Sequence, residues 1–418
     1  MLKTLFHQKH LSKISMIGKN FYKSYLIKQL DKIKSENRYR VFNQIEKYLS
    51  SSPNAYWVNN DNKKKVIIWC SNDYLGMSQK EVIIKAAKQS LTNYGTGSGG
   101  TRNISGNHLP IVKLEEEIAK LHQKESALVF TSGYIANEST ISSLLKLFRD
   151  CVVFSDEKNH ASIISGIQKS SNNKFVFLHN DLNDLERKLK LVDHQLPKII
   201  IFESIYSMDG SIGNIEGIVA LAKKYNCLTY IDEVHAVGMY GKSGAGITEE
   251  TGLQNDIDII QGTLAKAYGN IGGYIASDKL ICDFVRSSAS GFIFTTTIPP
   301  AVAEASIKSI QYLKKSSSER CMQKENVKFL KNKLIEEEIA FLNNKSHIVP
   351  IMINDAYKCN EISQLLLKEY GHYIQPINYP TVPKGTERLR VTPGPLHTKE
   401  MMIDLVKCFK ICIQESYN

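Results

Sequence analysis

The sequence has 418 residues, 42% of them hydrophobic and 23% charged, with a formal net charge of +11. Single cores stop growing near ~250–300 residues, so this length suits two packed units, and the ordinary composition excludes disordered and fibrous classes. The longest apolar runs fall far short of the ~20 residues a spanning helix needs, and 44 of the 53 basic residues are scattered lysines, so neither membrane nor nucleic acid is expected as a partner.

Residues 1–30 carry Lys3, Lys9, Lys13, Lys19, Lys23 and Lys28 without one acidic residue or arginine. The pattern fits an organellar transit peptide and equally a basic bacterial tail or a start upstream of the true one at Met16. From residue 65, short β-branched runs alternate with amphipathic stretches. Residues 66–69, 127–130, 151–154, 175–178, 199–202, 228–231 and 257–260 read as strands; Val112–His122 and Ile218–Tyr225 read as helices between them. A mostly parallel sheet covered by helices on both faces is expected. After Pro299-Pro300 come long helical stretches at Ala301–Lys314 and Met322–Glu338, a segment His347–Ile353, a stretch Glu361–Tyr370 and a last helix from Thr398. The expected organisation is an N-terminal segment (1–60, its first 20 residues the basic extension), a large domain (61–300) and a smaller α+β domain (301–418).

Gly95-Thr-Gly-Ser-Gly-Gly100 matches the dinucleotide pattern G-x-G-x-x-G, but that fingerprint follows a strand, whereas Glu81–Tyr94 places Val82, Ile83, Ala86 and Leu91 at helical spacing. The glycines suit instead a backbone with unusual φ/ψ or close approach by a ligand. Eight cysteines without a C-x-x-C pair or a His/Cys cluster predict no metal site and reduced thiols, as in a cytosol or matrix.

Ligands bind beyond the carboxyl ends of strands in open α/β sheets. Asp232 and His235 follow the strand ending at Ile231; Ser207 lies five residues after Phe202, and His160 and Lys266 six residues after Phe154 and Ile260. Singly, each has an ordinary explanation as a cap, a satisfied histidine or a surface lysine. Together they form the set that pyridoxal phosphate requires: an amine for the aldehyde, a carboxylate for the pyridine nitrogen, a flat imidazole for the ring and hydroxyls for the phosphate.

The motifs Trp69-Cys-Ser-Asn-Asp-Tyr-Leu-Gly-Met77, Gly97-Ser-Gly-Gly-Thr-Arg-Asn-Ile-Ser-Gly106, Asn159-His-Ala-Ser162, Ser204-Ile-Tyr-Ser-Met-Asp-Gly210 and Asp232-Glu-Val-His-Ala-Val-Gly-Met-Tyr-Gly241 resemble the α-oxoamine synthases. These are fold-type-I pyridoxal-phosphate transferases with a large domain and a smaller α+β C-terminal domain. The resemblance runs from about Arg38 to the C-terminus. Gly262-Thr-Leu-Ala-Lys-Ala-Tyr-Gly269 and the segment from Gln375 to Arg390 look like the branch that joins glycine to succinyl-CoA, releasing CoA and carbon dioxide and yielding 5-aminolevulinate for tetrapyrrole (heme) synthesis. The alternative is glycine C-acetyltransferase, which differs in the acyl group.

What the resemblance implies for single residues is specific. Lys266 is the Schiff-base lysine, Asp232 the partner of the pyridine nitrogen and His160 the stacking imidazole. Ser207, His235 and Thr263 are cofactor ligands, with Ser132, Gly133 and Tyr134 at the phosphate. Thr295 and Thr296 reach the neighbouring subunit's phosphate, which implies a homodimer with shared sites. Asn72 and Arg390 bind the glycine carboxylate, and Arg40, Thr101, Asn103, Ser155, Lys174 and Thr381 contact succinyl-CoA. Tyr379–Thr392 resembles the family's lid. The implied location is cytoplasmic for a bacterial protein and the mitochondrial matrix otherwise.

Overall fold

The computed structural model describes residues 20–49, 51–60 and 62–417; most of the basic N-terminal stretch, Met16 included, lies outside the described residues. After a helix at 20–35 come three antiparallel strands, β1 (Gln44–Glu46), β2 (Asn54–Asn59) and β3 (Asn62–Ile68). The central sheet contains β4 (Ser126–Phe130), β5 (Val152–Asp156), β6 (Lys174–Phe177), β7 (Lys198–Glu203), β8 (Cys227–Asp232), β9 (Ile259–Thr263) and β10 (Gly273–Ser277), in the order β4-β10-β9-β8-β7-β5-β6.

All but β10 run in one direction; β10 lies antiparallel between β4 and β9. β7 and β8 are buried along nearly their whole length, which is why they appear in the sequence as unbroken apolar runs. β10 is not apparent there. Three of the five residues in its Gly-Tyr-Ile-Ala-Ser sequence are small, and Gly273 is small for a reason: a Cβ on it would sit 2.4 Å from the Gly133 nitrogen. The strand thereby lets the N-terminus of the helix Gly133–Leu147 approach the sheet edge.

The small unit has its own sheet, β11 (Val349–Met352), β14 (Arg388–Val391) and β13 (Pro376–Ile377), with β14 central. The short strand β12 (His372–Tyr373) instead pairs in parallel with β3, and Trp69 sits in the same apolar cluster as Leu330, Ile351, Leu389 and Phe409. Two helices differ from expectation at their starts. One begins at Ser318 and another at Ala356, where the Asp355 side chain accepts from the Lys358 N–H as an N-cap. The expected lid divides: residues 379–386 are mostly exposed loop, and Arg388–Val391 is buried strand. No helix among the described residues is long and apolar enough to cross a membrane.

Candidate active site

Glu81–Tyr94 is a helix, so the glycine run follows a helix, and Gly95 and Gly99 take φ of 78° and 73°. Gly106 closes the turn that follows; a Cβ there would lie 2.3 Å from the Gly100 carbonyl oxygen. These glycines shape a loop; they do not form a dinucleotide fingerprint.

The parallel strands deliver their polar ends to one edge, around a cleft of about 190 Å³. Seven residues expected from the sequence line it: Gly133, Tyr134, His160, Asp232, His235, Thr263 and Lys266. Asn137, Ser162 and Glu203 line it too, and sequence reasoning missed them. The signals were faint: one of several polar residues in the helix Gly133–Leu147, the serine of Asn159-His-Ala-Ser162 and a carboxylate closing the apolar run 199–202.

Asp232 ends β8, opposite Glu203 on β7 in register. Its Oδ2 accepts from Asn137 Nδ2 at 2.7 Å and its Oδ1 from the Val234 N–H at 2.9 Å. Burial, with Asp232 beside it, pushes the Glu203 carboxyl well above the ordinary range, and its Oε1 accepts from the His160 N–H at 2.6 Å. Burial holds Lys266 down to about 8; Arg390 adds to the effect, while Asp232 and Glu203 oppose it. An amine near 8 is partly unprotonated at neutral pH and is available as a nucleophile or base. Burial likewise lowers His160, against the pull of Asp232, and holds His235 well below its usual value. The Tyr74 hydroxyl lies 2.8 Å from His235 Nδ1 and donates to Asn72 Oδ1 at 3.2 Å.

Arg390 reaches the same place from β14. It donates to Asn72 Oδ1 at 2.5 Å and to the Ser207 carbonyl oxygen at 3.2 Å, so Asn72, Ser207 and Arg390 are brought together. Ser132 caps the helix Gly133–Leu147, its Oγ accepting from the Ile135 N–H. Arg40 donates to Thr381 Oγ1 at 3.3 Å, and both line a second cavity of about 610 Å³.

Other expected residues lie away from the cleft. Thr101 bridges to Thr296 and donates to Asn103 Oδ1 at 2.7 Å, so the glycine loop and the Thr295–Thr296 segment form one surface. Ser155 is buried in β5, accepting from Asn159 Nδ2 at 2.9 Å, and Lys174 is exposed at the start of the edge strand β6.

The cleft fits pyridoxal phosphate on its donor set. It presents a depressed lysine amine, a buried carboxylate, an imidazole and, at Gly133-Tyr134, the first N–H groups of a helix, which have no intrahelical acceptor and suit a phosphate.

Residues 64–409 match the family model for class I and II aminotransferases. The chain is 52% identical over 386 residues to the 5-aminolevulinate synthase of Rickettsia prowazekii, covering 92% of each. It belongs to the 5-aminolevulinate synthase family. Solved structures of a related enzyme share this family member's fold: Sphingomonas wittichii serine palmitoyltransferase superposes with a TM-score of 0.86 at 26% identity, over 95% of this chain and 98% of that one. A serine palmitoyltransferase holding pyridoxal phosphate gives 0.83 at 28% identity, over 90% and 93%. The architecture of this 5-aminolevulinate synthase family member is therefore that of a fold-type-I pyridoxal-phosphate enzyme.

Proposed function

We propose that the chain condenses glycine with succinyl-CoA, with loss of carbon dioxide and CoA, to give 5-aminolevulinate, the first step of tetrapyrrole synthesis, and that Lys266, Asp232 and His160 are its catalytic groups. The observation that carries this reading is their convergence on one cleft, to which Arg390 and Asn72 connect through the Tyr74 hydroxyl and His235. Bound pyridoxal phosphate supplies an aldehyde that captures an amine and a conjugated ring that takes up the electron pair left on a substrate carbon.

The chain's own residues do the rest. Lys266, made less basic by burial, binds the cofactor and then serves as the base for a glycine Cα proton. Asp232, fixed by Asn137 and the Val234 N–H, keeps a proton on the ring nitrogen. Gly133, Tyr134, Ser132, Ser207, Thr263 and His235 hold the remaining cofactor oxygens. Arg390 offers its guanidinium to the glycine carboxylate, the anion its planar fork suits, with Asn72 as neighbour. Arg40 and Thr381 receive the acyl-CoA, together with Thr101, Asn103, Ser155 and Lys174.

The surface joining Thr101, Thr295 and Thr296 stands away from its own chain's cleft, which supports a homodimer in which it completes the partner's site. The bacterial relative supports a cytoplasmic location over a mitochondrial matrix. Product analysis tests the reading: 5-aminolevulinate from glycine and succinyl-CoA is expected, and equal efficiency with acetyl-CoA would move the chain to glycine C-acetyltransferase.

A further inference from the structure

Three side chains without a role so far, Asn137, Ser162 and Tyr230, connect Asp232 to His160. Asn137 Nδ2 donates to Asp232 Oδ2 at 2.7 Å and also to Ser162 Oγ at 2.9 Å, while its Oδ1 accepts from the Tyr230 hydroxyl at 2.8 Å. The carboxylate decides the amide's orientation, because a flipped amide would turn its oxygen on Asp232. With its oxygen accepting from Asn137, the Ser162 hydroxyl has its proton free for His160 Nδ1, 2.7 Å away, and the Ser162 N–H points at that same nitrogen at 3.2 Å. Two donors converge on Nδ1. A neutral imidazole carries one N–H, so this one carries it on Nε2. Nε2 has no protein partner among the described residues, and His160 lines the cleft.

We propose that Asn137 and Ser162 are positioning residues that hold His160 as the neutral tautomer protonated on Nε2, so that a single N–H donor is presented to the cleft. The proposal rests on the function given above. Its sense is electrostatic. Lys266 and Arg390 already place positive charge in the cleft, and a second N–H on the imidazole would have to sit on Nδ1, against both Ser162 donors. The groups facing His160 are Asp232 from β8, Glu203 from β7, Lys266 beyond β9, His235 beyond β8 and the Tyr134 ring at 6.4 Å. Asp232 draws a proton toward His160, and burial and Lys266 resist it. The relay adds its weight to the resisting side.

The test is nitrogen-15 NMR of histidine-labelled enzyme, with and without cofactor, alongside pH profiles of Ser162→Ala and Ser162→Thr. The unmodified protein should show His160 neutral and protonated on Nε2 at pH values where a free imidazole is already taking up its second proton. Ser162→Ala should raise the acid limb of kcat/KM by about half to one pH unit, the equivalent of one lost hydrogen bond, and Ser162→Thr should restore it. An Nδ1–H tautomer or a cation in the unmodified protein, or an acid limb that Ser162→Ala leaves in place, would overturn the proposal. The tautomer is read without turnover. A chain with the expected tautomer that makes no 5-aminolevulinate would sink the functional reading and leave this one standing.

Discussion

The two cavities are built by opposite means. The cofactor cleft is walled by the ends of β7, β8 and β9 and the helices packed on them, and a chain of hydrogen bonds runs from Asp232 through Asn137, Ser162 and His160 to Glu203. The second cavity, the proposed acyl site, is assembled from segments more than 300 residues apart, 37–43 and 360–381, joined by Arg40 to Thr381, both exposed, and by the Asn360 and Asn378 side chains, which donate to the Asn37 carbonyl oxygen. On the proposed reading, chemistry is fixed to a rigid sheet edge, while recognition of the second substrate falls to distant segments, loops among them, that can adjust.

That contrast fails if damage to the rigid wall is mild or damage to the loops is fatal. Lys266→Ala should have the largest effect: a chain with unchanged circular dichroism whose turnover falls beyond ~10⁴-fold. Substantial residual turnover would remove Lys266 from its role. Asp232→Ala comes next, losing ~10³-fold, because a ring nitrogen without its proton is a poor electron sink. Near-native turnover with cofactor visibly bound would contradict that.

On the acyl side the expected effects are smaller and of another kind. Succinyl-CoA should exceed acetyl-CoA by about a hundredfold in kcat/KM, since its free carboxylate loses ~1.5–3 kcal/mol per charge-assisted contact removed. Arg40→Ala should narrow the ratio about tenfold by weakening succinyl-CoA alone; a uniform loss for both thioesters would instead mean damage to the wall. Thr381→Val should shift kcat and KM together by about threefold, as a change in loop closure does, and pre-steady-state traces in which only the chemical step slows would argue against closure.

The same contrast governs what a sequence discloses. β5, β7, β8 and β9 are buried along most of their length, so their apolar runs stand out, and Asp232 at the end of β8, His160 after β5 and Lys266 after β9 could be picked out together from the sequence alone. β1 is three residues long and partly exposed, and β10 draws three of its five residues from Gly, Ala and Ser, Gly273 for its close approach to Gly133. Neither pattern announces a strand. Asn137 was hidden for a related reason: its importance comes from Tyr230, Ser162 and Asp232, which only the fold brings around it. Ser155, buried against Asn159, and Lys174, on the edge strand, show the converse. A motif match names a position without saying what one chain alone places beside it.

The pairing of β3 with β12 has a consequence for the making of the chain. Trp69 donates its Nε1–H to His372 Nδ1 across 303 residues, within a core otherwise drawn from the last hundred positions. At ~5–20 residues per second, β3 leaves the ribosome roughly 15–60 s before its partner is synthesised. For that interval Trp69, buried in the finished protein, lacks the C-terminal residues that cover it, while its neighbours Val66 and Ile68 have only the ribbon's own Ile45, Ala55 and Trp57 to pack against. The central sheet can form as it emerges, whereas the N-terminal ribbon must wait for the end of translation, in the company of whatever chaperone keeps an unpaired strand edge from finding another copy.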